Sequence, residues 1–222
     1  MDTAFLREEI CRVGRSLFER GYAHSTAGNI SVRLDEPEGG GFLITPTDAC
    51  LGFLQPQQLA WVDGSGQQRA GDRASKSLAL HRRIYEAAPE ARCVIHTHST
   101  HLVALTLQGV WSPQDILPPL TPYYVMKVGH VPLVPYHRPG DPAAGGMVAE
   151  LIAQQQGQGR TLRAVMLERL GPNVWHDSPA AAMAVLEELE ETARLWLVCG
   201  RAVPPLSEEQ IEELRRHFGA PW

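Results

Sequence analysis

Residues 92–101 read RCVIHTHSTH: an apolar run, three histidines within six residues, then a serine placed to open a helix. Cys93, Val94 and Ile95 form a run short enough for a buried strand. Residues i and i+2 of a strand project to one face, so His96 and His98 are expected side by side, with Thr97 turned into the packing. Ser99 is expected to cap a helix through about Gln108, which puts His101 on its first turn. Two imidazoles at this spacing supply half the ligands of a four-coordinate zinc ion. They are equally well the hydrogen-bonded polar end of a sheet edge, and HxH alone does not choose between the two.

Upstream, residues 3–20 have Leu6, Ile10, Val13 and Leu17 at helical spacing, with Gly21 as the stop. GNISVRL alternates, placing Ile30, Val32 and Leu34 on one strand face. FLIT and LAWVD are two more short strands, and Asp63–Gly66 is a turn. Ser75 is placed to cap a helix that Pro89 ends near Ala88. Downstream, the Pro-rich passage 112–129 is expected to be irregular. VPLVPY reads as an edge strand, because of its prolines. Residues 142–156 form a helix with a weak start, and LRAVMLERL and NVWHD are strands. Ser178-Pro179 opens a long helix that ends at Gly200, and Ser207 with Gln210 forms a capping box for a last helix closed by Gly219. No repeat and no linker divides the chain. The expected architecture is a single α/β domain over residues 1–222, with a mostly antiparallel central sheet covered by helices.

Bulk properties narrow the function. The 222 residues suffice for one sizeable domain, and 44% hydrophobic with 20% charged residues is ordinary globular composition. A net charge of -5 without a Lys/Arg cluster argues against nucleic-acid binding. The four cysteines form no CxxC pair and read as reduced thiols of a cytoplasmic protein. The N-terminal stretch lacks the apolar core of a signal peptide, and no run of about 18 apolar residues suggests a membrane span.

Three polar turns point to a small anion. In HSTAGNISVR, Gly28 allows close backbone approach, N–H groups in such a turn favour anions, and Thr26 and Asn29 add donors. ITPTD contains Thr45 and Thr47, and ASKS contains Ser75, Lys76 and Ser77. Each alone is an ordinary turn or cap; together, in a chain with an HxH strand, they carry more weight.

TAGNIS, ITPT, the SK turn before a helix containing His81, IHTHS, TPYYVM, VPYHRPGD, a strand ending at Gly171 and a C-terminal helix bearing EELEE follow one another in this order. With them the chain resembles the class II aldolase/adducin family from about Arg7 to Leu214. Through LTPYYVMKVGHVPLVPYHRPGD it most resembles the 3-oxo-tetronate 4-phosphate decarboxylases of that family; sugar-phosphate aldolases, such as fuculose-phosphate aldolase, and the ribulose-phosphate epimerases are more distant. The resemblance implies a metal-dependent carbon-carbon lyase that decarboxylates a small phosphorylated sugar acid to dihydroxyacetone phosphate and CO₂. It implies one Zn²⁺ per subunit on His96 and His98, with Mn²⁺ or Fe²⁺ as alternatives. Thr26, Gly28, Asn29, Thr45, Thr47, Ser75 and Lys76 match the region around the phosphate and neighbouring substrate oxygens. Tyr123 matches a proton donor that reaches in from a neighbouring subunit, which implies a ring-like homotetramer with intersubunit sites.

Two family positions differ. Ser77 stands in place of a catalytic glutamate that is also a metal ligand in many resting structures, and Leu170 in place of a third zinc histidine. His101, His130, His137 or Glu168 are the candidates to restore the ligand set, Glu168 by sharing a strand face with Leu170. A 3-oxo acid can lose CO₂ without a base, so Ser77 harms a decarboxylase less than an aldolase, whereas Leu170 weakens the electron sink itself. The alternatives are a sugar-phosphate aldolase, or a non-catalytic family member with a degraded metal site. Plainer roles are open as well. Tyr123 and Tyr124 pack a subunit contact, Arg138 and Asp141 pair within a turn, His81 is a packed hydrogen-bonded residue, His24 lies at the surface, and EELEETARLW is a solvated acidic face.

Overall fold

The computed structural model describes residues 3–222; Met1 and Asp2, within the domain range expected above, lie outside the described residues. Eight strands form one sheet: β1 (Asn29–Arg33), β2 (Phe42–Ile44), β3 (Ala60–Val62), β4 (Gln68–Ala70), β5 (Cys93–His96), β6 (Leu133–Val134), β7 (Ala164–Leu167) and β8 (Gly171–His176). Their order is β4-β3-β2-β1-β5-β8-β7-β6. Every pairing is antiparallel except that of β6 with β7.

Among the described residues seven α-helices complete the α/β architecture: α1 (Thr3–Glu19), α2 (Leu78–Ala87), α3 (Thr100–Gln108), α4 (Pro122–Lys127), α5 (Pro142–Gly157), α6 (Pro179–Val198) and α7 (Glu208–Phe218). One sheet face packs Ile30, Val32, Cys93, Ile95 and Val174 against α1, α3 and α6. The other packs Val94, Val165 and Trp175 against Ile84 and Tyr85 of α2 and Val148 and Ile152 of α5. With both faces covered, β5 and β7 are buried at every position, which is why they read as continuous apolar runs.

The helix ends follow their caps. Ser178 accepts from Ala181 N, and Ser207 with Gln210 forms the capping box. The start of α5 is stronger than the sequence suggests, because Asp141 accepts from Ala143 N and Pro142 occupies the first turn. The start of α2 lies later than expected. Ser75 Oγ accepts from Ser77 N at 3.3 Å, within the turn, and Ser77 takes the N-cap position. The Pro-rich passage is not wholly irregular, since Thr121 Oγ1 accepts from Tyr124 N at 3.1 Å and starts α4. β4, the exposed tripeptide QRA, is not among the strands expected from the sequence.

Candidate active site

His96 is the last residue of β5 and is 6% exposed. Its Cα is paired with that of Asn29 on β1 and with that of Asn173 on β8, so the three side chains share the face covered by α2 and α5. His96 Nδ1–H donates to Pro172 O at 2.8 Å. That bond fixes the tautomer and leaves Nε2 with its lone pair.

β5 ends before His98, so the simple strand argument does not apply to that residue, yet the rings converge. Their centroids lie 5.0 Å apart at an interplanar angle of 67°. The backbone between them is gripped from both sides. A Cβ on Gly28 would lie 2.8 Å from His96 O, and one on Gly171 only 1.9 Å from Thr97 O; both glycines have positive φ. Thr97 Oγ1–H donates to Ser99 Oγ at 2.6 Å, and Ser99 Oγ–H donates to Tyr22 O at 3.0 Å. Ser99 therefore braces the loop and does not cap α3.

The cap of α3 comes from α6. Glu190 is 5% exposed, and its Oε1 accepts from His101 N at 2.9 Å and from His101 Nδ1–H at 2.8 Å, while Oε2 accepts from Leu102 N at 3.0 Å. EELEE is thus not wholly a solvated face: one of its carboxylates is buried where the α3 dipole favours an anion.

Burial pushes the His96 imidazole down to about 4, with His98 adding to the effect. Burial and His24 lower His98 in turn. His96 is therefore neutral near pH 7, the form that accepts a cation, and the downward shift favours the same form for His98. His81 is fully buried, bonded to Ser31 Oγ at 2.7 Å, and pushed down to about 3 by burial and His96, in keeping with a packed role.

The polar turns meet beside the histidines. Asn29 Nδ2 donates to Ser77 Oγ at 3.0 Å. Thr45 is buried, its Oγ1 accepts from Ile30 N at 3.1 Å, and its carbonyl accepts from Ser75 N at 3.3 Å. Thr47 N donates to Arg73 O, farther along the same contact between turns. Thr26 and Lys76 are exposed, and Ser25, at φ 51, bends the first turn toward Gly28. Tyr123 is 62% exposed on α4, while Tyr124 is fully buried beneath it.

None of the candidates completes the metal set within the chain. Among the described residues no three His, Cys, Asp or Glu side chains are placed to share an ion. His101 is bonded to Glu190, and His130 Nδ1–H donates to Asp115 at 2.9 Å. His137 Nδ1–H donates to Pro135 O at 2.7 Å, and Glu168 accepts from Tyr136 N at 2.9 Å. Glu168, Arg169 and Leu170 form a turn, so Glu168 does not share a strand face with Leu170, which packs into the α2/α5 core. Two convergent imidazoles, one of them neutral with a free Nε2, fit a divalent ion as half of a site. Glu190, the Pro172 carbonyl and Asn173 escaped sequence reasoning; only Asn173, a polar residue inside an apolar strand, left a local signal.

The family model for the Class II Aldolase and Adducin N-terminal domain matches residues 8–197. The chain is 57% identical to the 3-oxo-tetronate 4-phosphate decarboxylase of Cupriavidus necator, over 98% of this chain and 97% of that one. It is 43% identical to the enzyme of the same name from Escherichia coli, over 95% of each. The crystal structure of YgbL from Escherichia coli superimposes with a TM-score of 0.87 at 41% identity, covering 96% of this chain and 99% of that one.

Proposed function

The chain belongs to the class II aldolase and adducin family, and from that premise we propose that it is a carbon-carbon lyase that decarboxylates a 3-oxo-tetronate 4-phosphate. The reading is supported by the near full-length similarity to decarboxylases of that name. The one structural observation that carries it is the convergent His96–His98 pair, with His96 neutral, beside the Asn29–Ser77 hydrogen bond.

The substrate phosphate and the oxygens next to it sit against the turns carrying Thr26, Gly28, Asn29, Thr45, Thr47, Ser75 and Lys76, where backbone N–H groups and the lysine charge oppose that of the phosphate. This places the C1–C3 end at the histidines. Enzymes of this family generally depend on a metal ion; here His96 and His98 would hold it, one per subunit, as Zn²⁺ with Mn²⁺ or Fe²⁺ as substitutes. When bound, such an ion supplies an electron sink for the C3 oxygen while the C1–C2 bond breaks. CO₂ leaves with C1, the electron pair stays on C2–C3, and Tyr123 of a neighbouring subunit gives the proton that C2 needs to become dihydroxyacetone phosphate. Ser77 suits this chemistry because no substrate proton has to be removed. Its hydroxyl accepts from Asn29 and holds that amide in place. The exposure of Tyr123 suits a residue that serves the site of another copy, and hence a homotetramer.

No helix of the described residues is long and apolar enough to cross a membrane, and the free cysteines suit a cytoplasmic setting. A second reading rests on the two-nitrogen ligand set: a non-catalytic family member that binds a phosphorylated metabolite. Catalytic zinc sites normally hold three protein ligands. Metal content and CO₂ release from 3-oxo-tetronate 4-phosphate decide between the two. About one metal ion per chain with stoichiometric CO₂ supports the decarboxylase. A metal-free, inactive protein after metal-replete purification overturns it in favour of the second reading.

A further inference from the structure

Asn173 stands in the middle of β8, 2% exposed, between the apolar residues Pro172 and Val174. It faces His96 across one strand pair, and Asn29 faces His96 across the other, so two amides bracket the imidazole on one sheet face. The ring is tied to the same strand through Pro172 O. Asn29 spends its Nδ2 on Ser77 and leaves Oδ1 buried without a partner among the described residues. Asn173 leaves Nδ2 buried without one. A buried amide hydrogen with no acceptor destabilises a fold, and native proteins rarely keep one unless water or a ligand answers it. Leucine fills nearly the same space without that penalty, so an amide retained here implies an acceptor in the working protein.

Resting on the decarboxylase reading of this site, we propose that Asn173 is a substrate-binding residue whose Nδ2–H donates to an oxygen at the reacting end of the sugar acid, beside His96. Asn29 Oδ1 accepts a substrate hydroxyl on the other side of the ring. One amide thus offers a donor and the other an acceptor, which matches a keto oxygen at C3 next to a hydroxyl at C2. A water molecule bridging the two amides is the competing occupant.

Asn173→Leu in the full-length protein tests the assignment through three measurements: CO₂ release from 3-oxo-tetronate 4-phosphate, calorimetric titration with tetronate 4-phosphate, which cannot decarboxylate by this route, and thermal unfolding. The expected result is an unfolding temperature equal to or above that of the wild type, with kcat/KM and affinity for the tetronate each reduced by about tenfold or more, the loss of one ordinary hydrogen bond. Asn173→Asp keeps the shape and exchanges donor for acceptor. It is expected to lose as much, and it carries the test if the leucine variant does not fold. A kcat/KM within twofold of wild type in both variants overturns the proposal in favour of water. If the wild type releases no CO₂, the decarboxylase reading fails on its own. The titration then judges Asn173, and equal affinity in wild type and variants overturns its role as well.

Discussion

Glu190→Ala removes the acceptors for His101 N, Leu102 N and His101 Nδ1–H, which now lie at 2.8–3.0 Å. Hydrogen bonds to a charged group contribute about 1.5–3 kcal/mol each, and an N-cap about 1 kcal/mol. Deleting the carboxylate also ends its own desolvation cost, and His101 is exposed enough for water to serve its ring. The net destabilisation is therefore about 2–4 kcal/mol, carried by the two orphaned backbone N–H groups. For a chain of this size that lowers the unfolding temperature by roughly 5–15 °C. Thermal unfolding followed by circular dichroism measures it, with Glu191→Ala as the control. Glu191 pairs only loosely with Arg194, at 3.4 Å and on the surface, so its loss should cost under about 0.5 kcal/mol. Glu190→Gln should fall between the two, since its carbonyl can keep the His101 bonds while its NH₂ faces Leu102 N. If Glu190→Ala unfolds within about 1 kcal/mol of wild type, or no differently from Glu191→Ala, the argument that this carboxylate anchors α3 and the loop before it is wrong.

Three further perturbations address the site. Replacing His96 and His98 together by alanine should abolish bound metal, measured by plasma mass spectrometry, while the circular dichroism spectrum stays folded; unchanged metal content would place the ligands elsewhere. Gly171→Ala drives a Cβ to 1.9 Å from Thr97 O. It should cost about 2–5 kcal/mol in denaturant unfolding, and a near-neutral result would refute the close approach of β8 to the histidine loop. Ser77→Glu with Leu170→His restores the two absent ligand types and should raise zinc affinity in a competitive chelator titration; a flat response would show that these positions do not face the histidines.

Elements whose signals are local were legible in the sequence. Ser178-Pro179, Ser207 with Gln210, and the apolar run entering His96 each carry their cause within a few residues. The six residues of α4 are too few for a periodic pattern, and β4, exposed at all three positions, has only Ala70 to mark it. The convergence of His96 and His98 was expected for an incomplete reason: the strand stops at His96, and the rings meet because Gly28 and Gly171 let neighbouring strands crowd the loop. Glu190 was hidden because its partners lie 89 and 88 residues away, and an acidic run does not show which member turns inward. The turn at Glu168–Leu170 broke the face argument, since an alternation rule holds only while the strand continues.

The crowding at Gly28 and Gly171 separates what can vary in this site from what cannot. Residues 77 and 170 can change identity while the main chain keeps its course, because neither is the point of closest approach. The loop itself tolerates no added atom on either flank. A protein built this way can lose or gain coordinating groups by single codon changes and still present two imidazoles at the same spot, which makes it a natural starting point for engineering metal selectivity.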